Sequence, residues 1–256
     1  MAEPFRASTA STLCVSIVFA ALAAQGCQYP RAVHTYEYVT DYERMSAAYD
    51  PKVSLVYVPQ ETSFKDSKGI IVGDVKVGEA WVDSPDQAKR YAAFFRVVLR
   101  NELLKLKKFD LVSLDGSESG SKAPSPGTLL LEGEITKFDM GSGFLRYLDY
   151  FLWFMQAGAT DLQVEGRITD AATGKLLVEF VDRRRHLCNT PFGPNPRNLH
   201  EGYGMRVTAA ETALCLAKFI EMGWDKLPAT QSGATPPEAA RAVTTDVTAG
   251  AHEEKR

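Results

Sequence analysis

Four cysteines and four histidines carry the most distinctive side-chain chemistry in this sequence of 256 residues. The histidines, His34, His186, His200 and His252, fall in no HExxH or other paired spacing that would bring two imidazoles to one metal. His200-Glu201 has no second histidine four residues on. Gly116-Ser117-Glu118-Ser119-Gly120 has glutamate where a nucleophile elbow requires serine. Gly141-Ser142-Gly143 lacks the third glycine of a dinucleotide-binding turn. Glu132 and Glu134 share one face of an expected strand, as do Asp161 and Glu165. Paired carboxylates can exchange protons with a substrate, but a solvated sheet face produces the same pattern, and that is the expectation here. Arg183-Arg184-Arg185-His186 would meet lipid phosphates or an anionic partner, or simply end a strand in water, which short charge runs usually do. No catalytic residue, metal set or cofactor is therefore assigned.

Cys27 is different because of what precedes it. Leu13 to Ala24 is a run of twelve mostly apolar residues. As a helix it rises only ~18 Å, too short for a hydrocarbon core of ~30 Å. It fits the apolar region of a signal peptide, with Arg6 ahead of it and small residues after it. The stretch Leu22-Ala23-Ala24-Gln25-Gly26-Cys27 resembles the lipobox of bacterial lipoproteins, in which the cysteine thiol takes a diacylglyceryl group and becomes the first mature residue. The resemblance implies residues 1–26 as a signal peptide, lipidation of Cys27 and a periplasmic domain held to a membrane by fatty acyl chains. Gln28 rather than aspartate follows, which by resemblance to sorted lipoproteins implies the outer membrane. The alternatives are inner-membrane retention or secretion after an ordinary signal cleavage.

Cys14 leaves with the signal, so Cys188 and Cys215 remain. In an oxidising compartment such a pair invites a disulfide. Two buried free thiols are the equal alternative, since bridging needs Cα atoms within about 7 Å.

The whole sequence has 45% hydrophobic and 24% charged residues and a net charge of −3. This is an ordinary globular composition without the basic field that nucleic acid would require. Residues 27–51 are polar and tyrosine-rich and read as a tether, with a short helix around Asp41 to Ala48. Val53 to Val58 is a β-branched strand stopped by Pro59, and Ile70 to Trp81 has strand-like patches. Ser84-Pro85-Asp86-Gln87 has the pattern of a capped helix start. Ala88, Ala92, Phe95, Leu99, Leu103 and Leu106 then form one helical stripe. Further strands are expected over Phe109–Leu114, Thr128–Asp139, Asp161–Asp170 and Lys175–Arg185, the last two joined at Ala171-Ala172-Thr173-Gly174. A second helix runs from Met205 to Met222, with Gly223 as its stop. Residues 225–256, rich in Ala, Thr, Pro and Glu, read as a disordered tail.

Residues 145–155 are the least expected stretch. Leu148, Phe151, Leu152, Trp153 and Phe154 offer an aromatic, amphipathic surface to a membrane interface or a partner, or pack into the core.

Gly133-Glu134-Ile135-Thr136-Lys137-Phe138, Gly141-Ser142, Arg146, Gly158-Ala159, Asp170 and Thr173-Gly174-Lys175-Leu176 resemble a bacterial lipoprotein family called domain of unknown function forty-four-ten. The order of elements is also similar to the periplasmic domain of the curli-secretion channel lipoprotein, an α/β domain related to anticodon-binding folds. The resemblance implies an α/β (α+β) domain over residues 52–224, with a mixed sheet of about five strands and two main helices. It implies a periplasmic module without a known reaction, whose partners are the membrane, an envelope protein or further copies of the chain. The expected function is a non-enzymatic structural, assembly or interaction role in the cell envelope. A periplasmic hydrolase or small-ligand-binding module would instead need a pocket assembled from distant residues.

Overall fold

A computed structural model describes residues 32–47, 53–114, 126–145, 147, 158–186, 189–190, 193–194, 197, 200, 202–225 and 227–230. The strands are β1 (Leu55–Tyr57), β2 (Gly69–Val77), β3 (Leu111–Leu114), β4 (Thr128–Asp139), β5 (Thr160–Asp170) and β6 (Leu176–His186). They form one mixed sheet in the order β1-β6-β5-β4-β2-β3. β2 is parallel to both β3 and β4, and the other pairings are antiparallel. The fold is α+β, with one strand more than the five expected. A two-stranded ribbon, β7 (Asn189–Thr190) with β8 (Gly193–Pro194), lies where the sequence suggested only a loop.

Helix α1 (Pro85–Leu106) and helix α2 (Tyr203–Met222) pack against each other and against one face of the sheet. The α1 stripe is buried as its spacing demands: Ala88, Ala92, Phe95, Leu99 and Leu103 all face the core. Pro85 begins the helix, where its missing N–H costs nothing. Ser84 makes no side-chain cap bond, so the expected capping box is not formed. Helix α2 stops at Met222, as expected, but Gly223 keeps a right-handed backbone. Glycine is needed there for space, because a Cβ would lie 2.7 Å from the Phe64 ring.

Two boundaries differ from expectation. The tail packs further than its composition suggested: Leu227 is buried and bridges to Thr62, and Thr230 exchanges hydrogen bonds with Val58. Residues 231–256 lie outside the described residues. The expected helix near residues 41–48 is a single 3-10 turn, Tyr42–Arg44.

The β5–β6 hairpin forms as read, with Gly174 at φ 70° in the turn. At its centre Gly166 faces Gly133 on β4 and Phe180 on β6. The Phe180 ring occupies the space above Gly166, and a Cβ there would also lie 2.7 Å from the Glu132 carbonyl oxygen. Overpacking of this kind costs about 1–3 kcal/mol. Gly166→Ala is expected to lower the thermal midpoint by several degrees in a circular-dichroism melt, whereas Gly174→Asn at the open turn should change it far less.

Candidate functional site: the docked N-terminal segment

Alternation on β5 places Leu162, Val164 and Ile168 toward the helices and Asp161, Gln163, Glu165 and Arg167 on the opposite face. That second face was expected to be solvated. It is instead covered: Gln163 and Glu165 are both fully buried, and Asp161 nearly so. The cover is residues 32–47, read from sequence as free tether. They form a strap across the sheet, with Val39 and Tyr42 buried against Val181 in a second, small apolar cluster.

The strap is held by side chains of the sheet acting in place of a backbone ladder. The Gln163 carboxamide accepts from the Val33 N–H at 2.7 Å and donates to the Val33 carbonyl at 2.7 Å, as a paired strand would. Glu165 is the hub. Its Oε1 accepts from Thr35 Oγ1 at 2.6 Å, Thr136 Oγ1 at 2.7 Å, Gln163 Nε2 at 3.0 Å and the Tyr42 hydroxyl. Its Oε2 accepts from the Val39 N–H at 2.9 Å. Three of these five donors belong to the strap. His34 stacks on the Tyr42 ring at 4.4 Å, and burial with the bond to Glu165 pushes the Tyr42 phenol up from its ordinary range. The far end of the strap is fixed by Arg44, which pairs with Glu179 and lies 4.4 Å over the Tyr57 ring. Ser46 and Val56 complete it with reciprocal backbone bonds at 2.8 and 2.9 Å.

Beside the hub sit two more carboxylates. Glu37 on the strap accepts from the Ala80 N–H at 2.8 Å, and it crowds Glu134 of β4 above Gly78. Burial, then the charges of Glu37 and Glu165, raise the Glu134 carboxyl above its usual range, against a lowering by Lys76. Burial pushes the Tyr38 phenol up to about 12, next to Arg167, Glu132, Glu134 and Glu179. The buried network thus concentrates negative charge under the strap and answers it with hydroxyl, amide and backbone donors.

The basic run is likewise built in rather than solvated. Arg183 pairs with Asp161, through Nε at 2.9 Å and a second, shorter contact. Arg184 is buried on the helix side, with Nε 2.9 Å from Asp182, whose carboxyl is raised by burial. Arg185 alone of the three stays exposed. Cys215 lies on α2 near the charges of Asp182 and Arg184 as a free, half-buried thiol, its pKa raised by burial. Cys188, its expected disulfide partner, lies outside the described residues. So do Cys27, the proposed acylation site, and Leu148, Phe151, Leu152, Trp153 and Phe154 of the aromatic stretch.

Access limits what this arrangement can do. The Glu165 hub is closed to solvent, with its carboxylate engaged by the strap. The uncovered part of the same sheet face holds an open depression of about 320 Å³, lined by Leu130, Glu132, Arg167, Leu176 and Glu179. Its charges are engaged, with Arg167 3.0 Å from Glu132 and 5.6 Å from the Tyr38 ring. Among the described residues no group of three or more His, Cys, Asp or Glu is placed to hold a metal ion. No described helix is long and apolar enough to cross a membrane.

The sequence profile of the family Domain of unknown function (DUF4410) matches residues 38–189, more than half of the chain and nearly all of the strap-covered sheet. This chain is a member of the DUF4410 family. No curated protein matches it. Among solved structures it is similar to the PelC dodecamer from Paraburkholderia phytofirmans, at 12% identity and a TM-score of 0.40, covering 64% of this chain and 95% of that one. It is also similar to protein XCC0632 from Xanthomonas campestris, of family DUF330, at 8% identity and a TM-score of 0.40, covering 66% and 92%. The hypothetical protein CT253 from Chlamydia trachomatis shares 12% identity at a TM-score of 0.33, covering 61% and 93%. Likenesses this loose carry no functional argument. The DUF4410 match begins at Tyr38, inside the strap, and reaches past β6.

Two outcomes are expected. Glu165→Gln replaces two acceptor oxygens by one and sets an amide donor against Gln163 and Tyr42. Loss of a buried, charge-assisted acceptor costs about 1–3 kcal/mol. Hydrogen exchange should therefore accelerate at amides 33–46 more than in α1, and Tyr42→Phe should do so to a smaller degree. Glu134 gives a pH signature. A carboxyl whose folded pKa is raised stabilises the fold fully below its unfolded pKa and loses that contribution as pH rises through the folded one. Stability should fall as pH rises from the ordinary glutamate range toward neutral, and Glu134→Gln should raise the melting temperature at pH 7 and flatten this dependence.

Proposed function

We propose that this DUF4410 protein is an outer-membrane-anchored periplasmic lipoprotein whose domain is a non-enzymatic structural, assembly or interaction module of the cell envelope. The observation that supports it is the strap. Cys27 is followed by only four residues before Ala32, which already packs against the small apolar cluster of the strap. A fatty acyl group on Cys27 would thus hold the whole domain close to the bilayer instead of at the end of a long tether. The buried network gives this placement its rigidity, because a segment with two hydroxyl donors and one backbone N–H committed to one carboxylate does not move freely.

The engaged charges and closed hub favour a module that presents surfaces. Envelope proteins or further copies of this chain are the partners that reading calls for, and Leu148, Phe151, Leu152, Trp153 and Phe154 are the residues it assigns to contact. Several acyl chains, at about 0.8 kcal/mol per buried methylene, give firm attachment. Cys27→Ser in the producing bacterium is expected to abolish incorporation of an alkyne fatty acid and to release the protein from the membrane fraction. Persistent labelling of the variant would overturn the anchor.

A further inference from the structure

The exposed aromatic side chains are not spread evenly. Of the four large aromatic residues exposed among the described residues, Trp81, Phe144 and Tyr147, at 48%, 70% and 54%, belong to one end of the sheet, and the fourth, Tyr36, lies on the strap. At that end β4 finishes at Asp139, opposite Asp161 near the start of β5, and β6 finishes at His186, opposite Thr160. Gly141 closes against the carbonyls of Gly158 and Ala159, so the chain carrying Phe144 and Tyr147 leaves the sheet there. Trp81 is brought to the same end by its carbonyl, which accepts the Phe138 N–H at 3.0 Å. The large exposed aliphatic residues, Val97, Leu104, Leu111 and Leu214, lie on the helices and β3 instead.

The strap starts at this end as well. It meets Gln163 first through Val33, then Glu165 through Thr35 and Val39, then Glu179 through Arg44. Glu179 sits opposite Arg167, so the strap runs away from the aromatic end as it proceeds. Cys27 is six residues before Val33. At no more than ~3.6 Å per residue, it lies within about 22 Å of Val33, the strap residue docked nearest the aromatic end. The other end of β5, at Asp170, is seven residues beyond Gln163, about 23 Å away at strand rise. An acyl chain on Cys27 is therefore within reach of the end that carries Trp81, Phe144 and Tyr147, and only a fully extended lead turned back along the sheet would carry it to the other.

We infer that this end of the sheet rests on the lipid bilayer, with Trp81, Phe144 and Tyr147 in the headgroup region. The inference rests on acylation of Cys27. Trp81 and Tyr147 each have an apolar body and a polar edge suited to that interface, and Phe144 adds apolar area beside them. The charges around them are of both signs: Lys137 lies 5.3 Å over the Trp81 ring and Arg185 is exposed, while Asp83 and Asp139 sit beside them. Such a surface needs no anionic lipid, and phosphatidylcholine is a sufficient partner. The contact would set the orientation of the domain, leaving the depression near Glu132, Arg167 and Glu179 facing away from the membrane.

Depth-dependent quenching tests this on the full chain, purified from bacterial membranes and reconstituted into phosphatidylcholine vesicles with or without brominated acyl chains. One variant, Trp153→Phe/Trp224→Phe, retains Trp81. The other, Trp81→Phe/Trp153→Phe, retains Trp224, which packs against Phe109 and Lys108 at the opposite end of the sheet. Brominated lipid is expected to quench Trp81 at least about two-fold and to leave Trp224 unchanged. Phe144→Ser in the Trp81 variant should reduce the quenching, and its exposed position keeps the fold intact. The mass of the N-terminal peptide reports acylation separately. An acylated protein whose Trp81 is unquenched, or quenched no more than Trp224, overturns the orientation and leaves the anchor standing; self-association shielding Trp81 would give that result. A peptide without acyl mass overturns the anchor and the orientation together.

Discussion

A carboxylate buried without partners costs several kcal/mol, and Glu165 is fully buried in the middle of the sheet. The fold around it follows from that constraint. Thr136 and Gln163 supply two donors from neighbouring positions on the sheet, and the strap supplies the Thr35 hydroxyl, the Tyr42 hydroxyl and the Val39 N–H. Without the strap the carboxylate would face water, and the Val39–Tyr42–Val181 cluster would lose its cover. The segment that follows the proposed acylation site is therefore part of the folded domain. Its attachment is polar and geometrically specific, unlike the packing on the opposite face.

That opposite face is held by apolar burial. Residues of α1 and α2 fill the space against Ile70, Leu131, Leu162, Ile168 and Phe180 with ordinary core packing. The Asp182–Arg184 pair is the exception, a charge pair enclosed between β6 and α2. Removing either partner alone would strand a buried charge, which is why such pairs are costly to break even when they add little net stability. The sheet thus separates two regimes, one tolerant of apolar exchange and one dependent on named hydrogen bonds.

On the proposed acylation of Cys27, the arrangement gives the module a definite geometry relative to a membrane. The start of the docked strap and three exposed aromatic residues lie toward one end of the sheet. On that proposal the other end, and the open depression with its engaged charges, are left for contacts with other envelope components.

Much of the fold was legible locally. The α1 stripe from Ala88 to Leu103, the β5–β6 hairpin and the stop at Met222 follow from periodicity and turn residues. The family followed from glycines and strand residues between Gly133 and Leu176. Local pattern also misled: Asp161, Gln163 and Glu165 alternate with apolar residues as a solvated face would, and residues 32–47 have the composition of a tether. Periodicity reports which residues share a face but not what lies over it. The sequence by itself determined the helices, the hairpin and the polar character of that sheet face, because these depend on neighbours one to four residues apart. That the face is buried was settled only by the three-dimensional fold, since three of the five donors to Glu165 come from residues 123 to 130 positions earlier. The same long-range closure brought Trp81, Phe144 and the start of the strap to one end of the molecule.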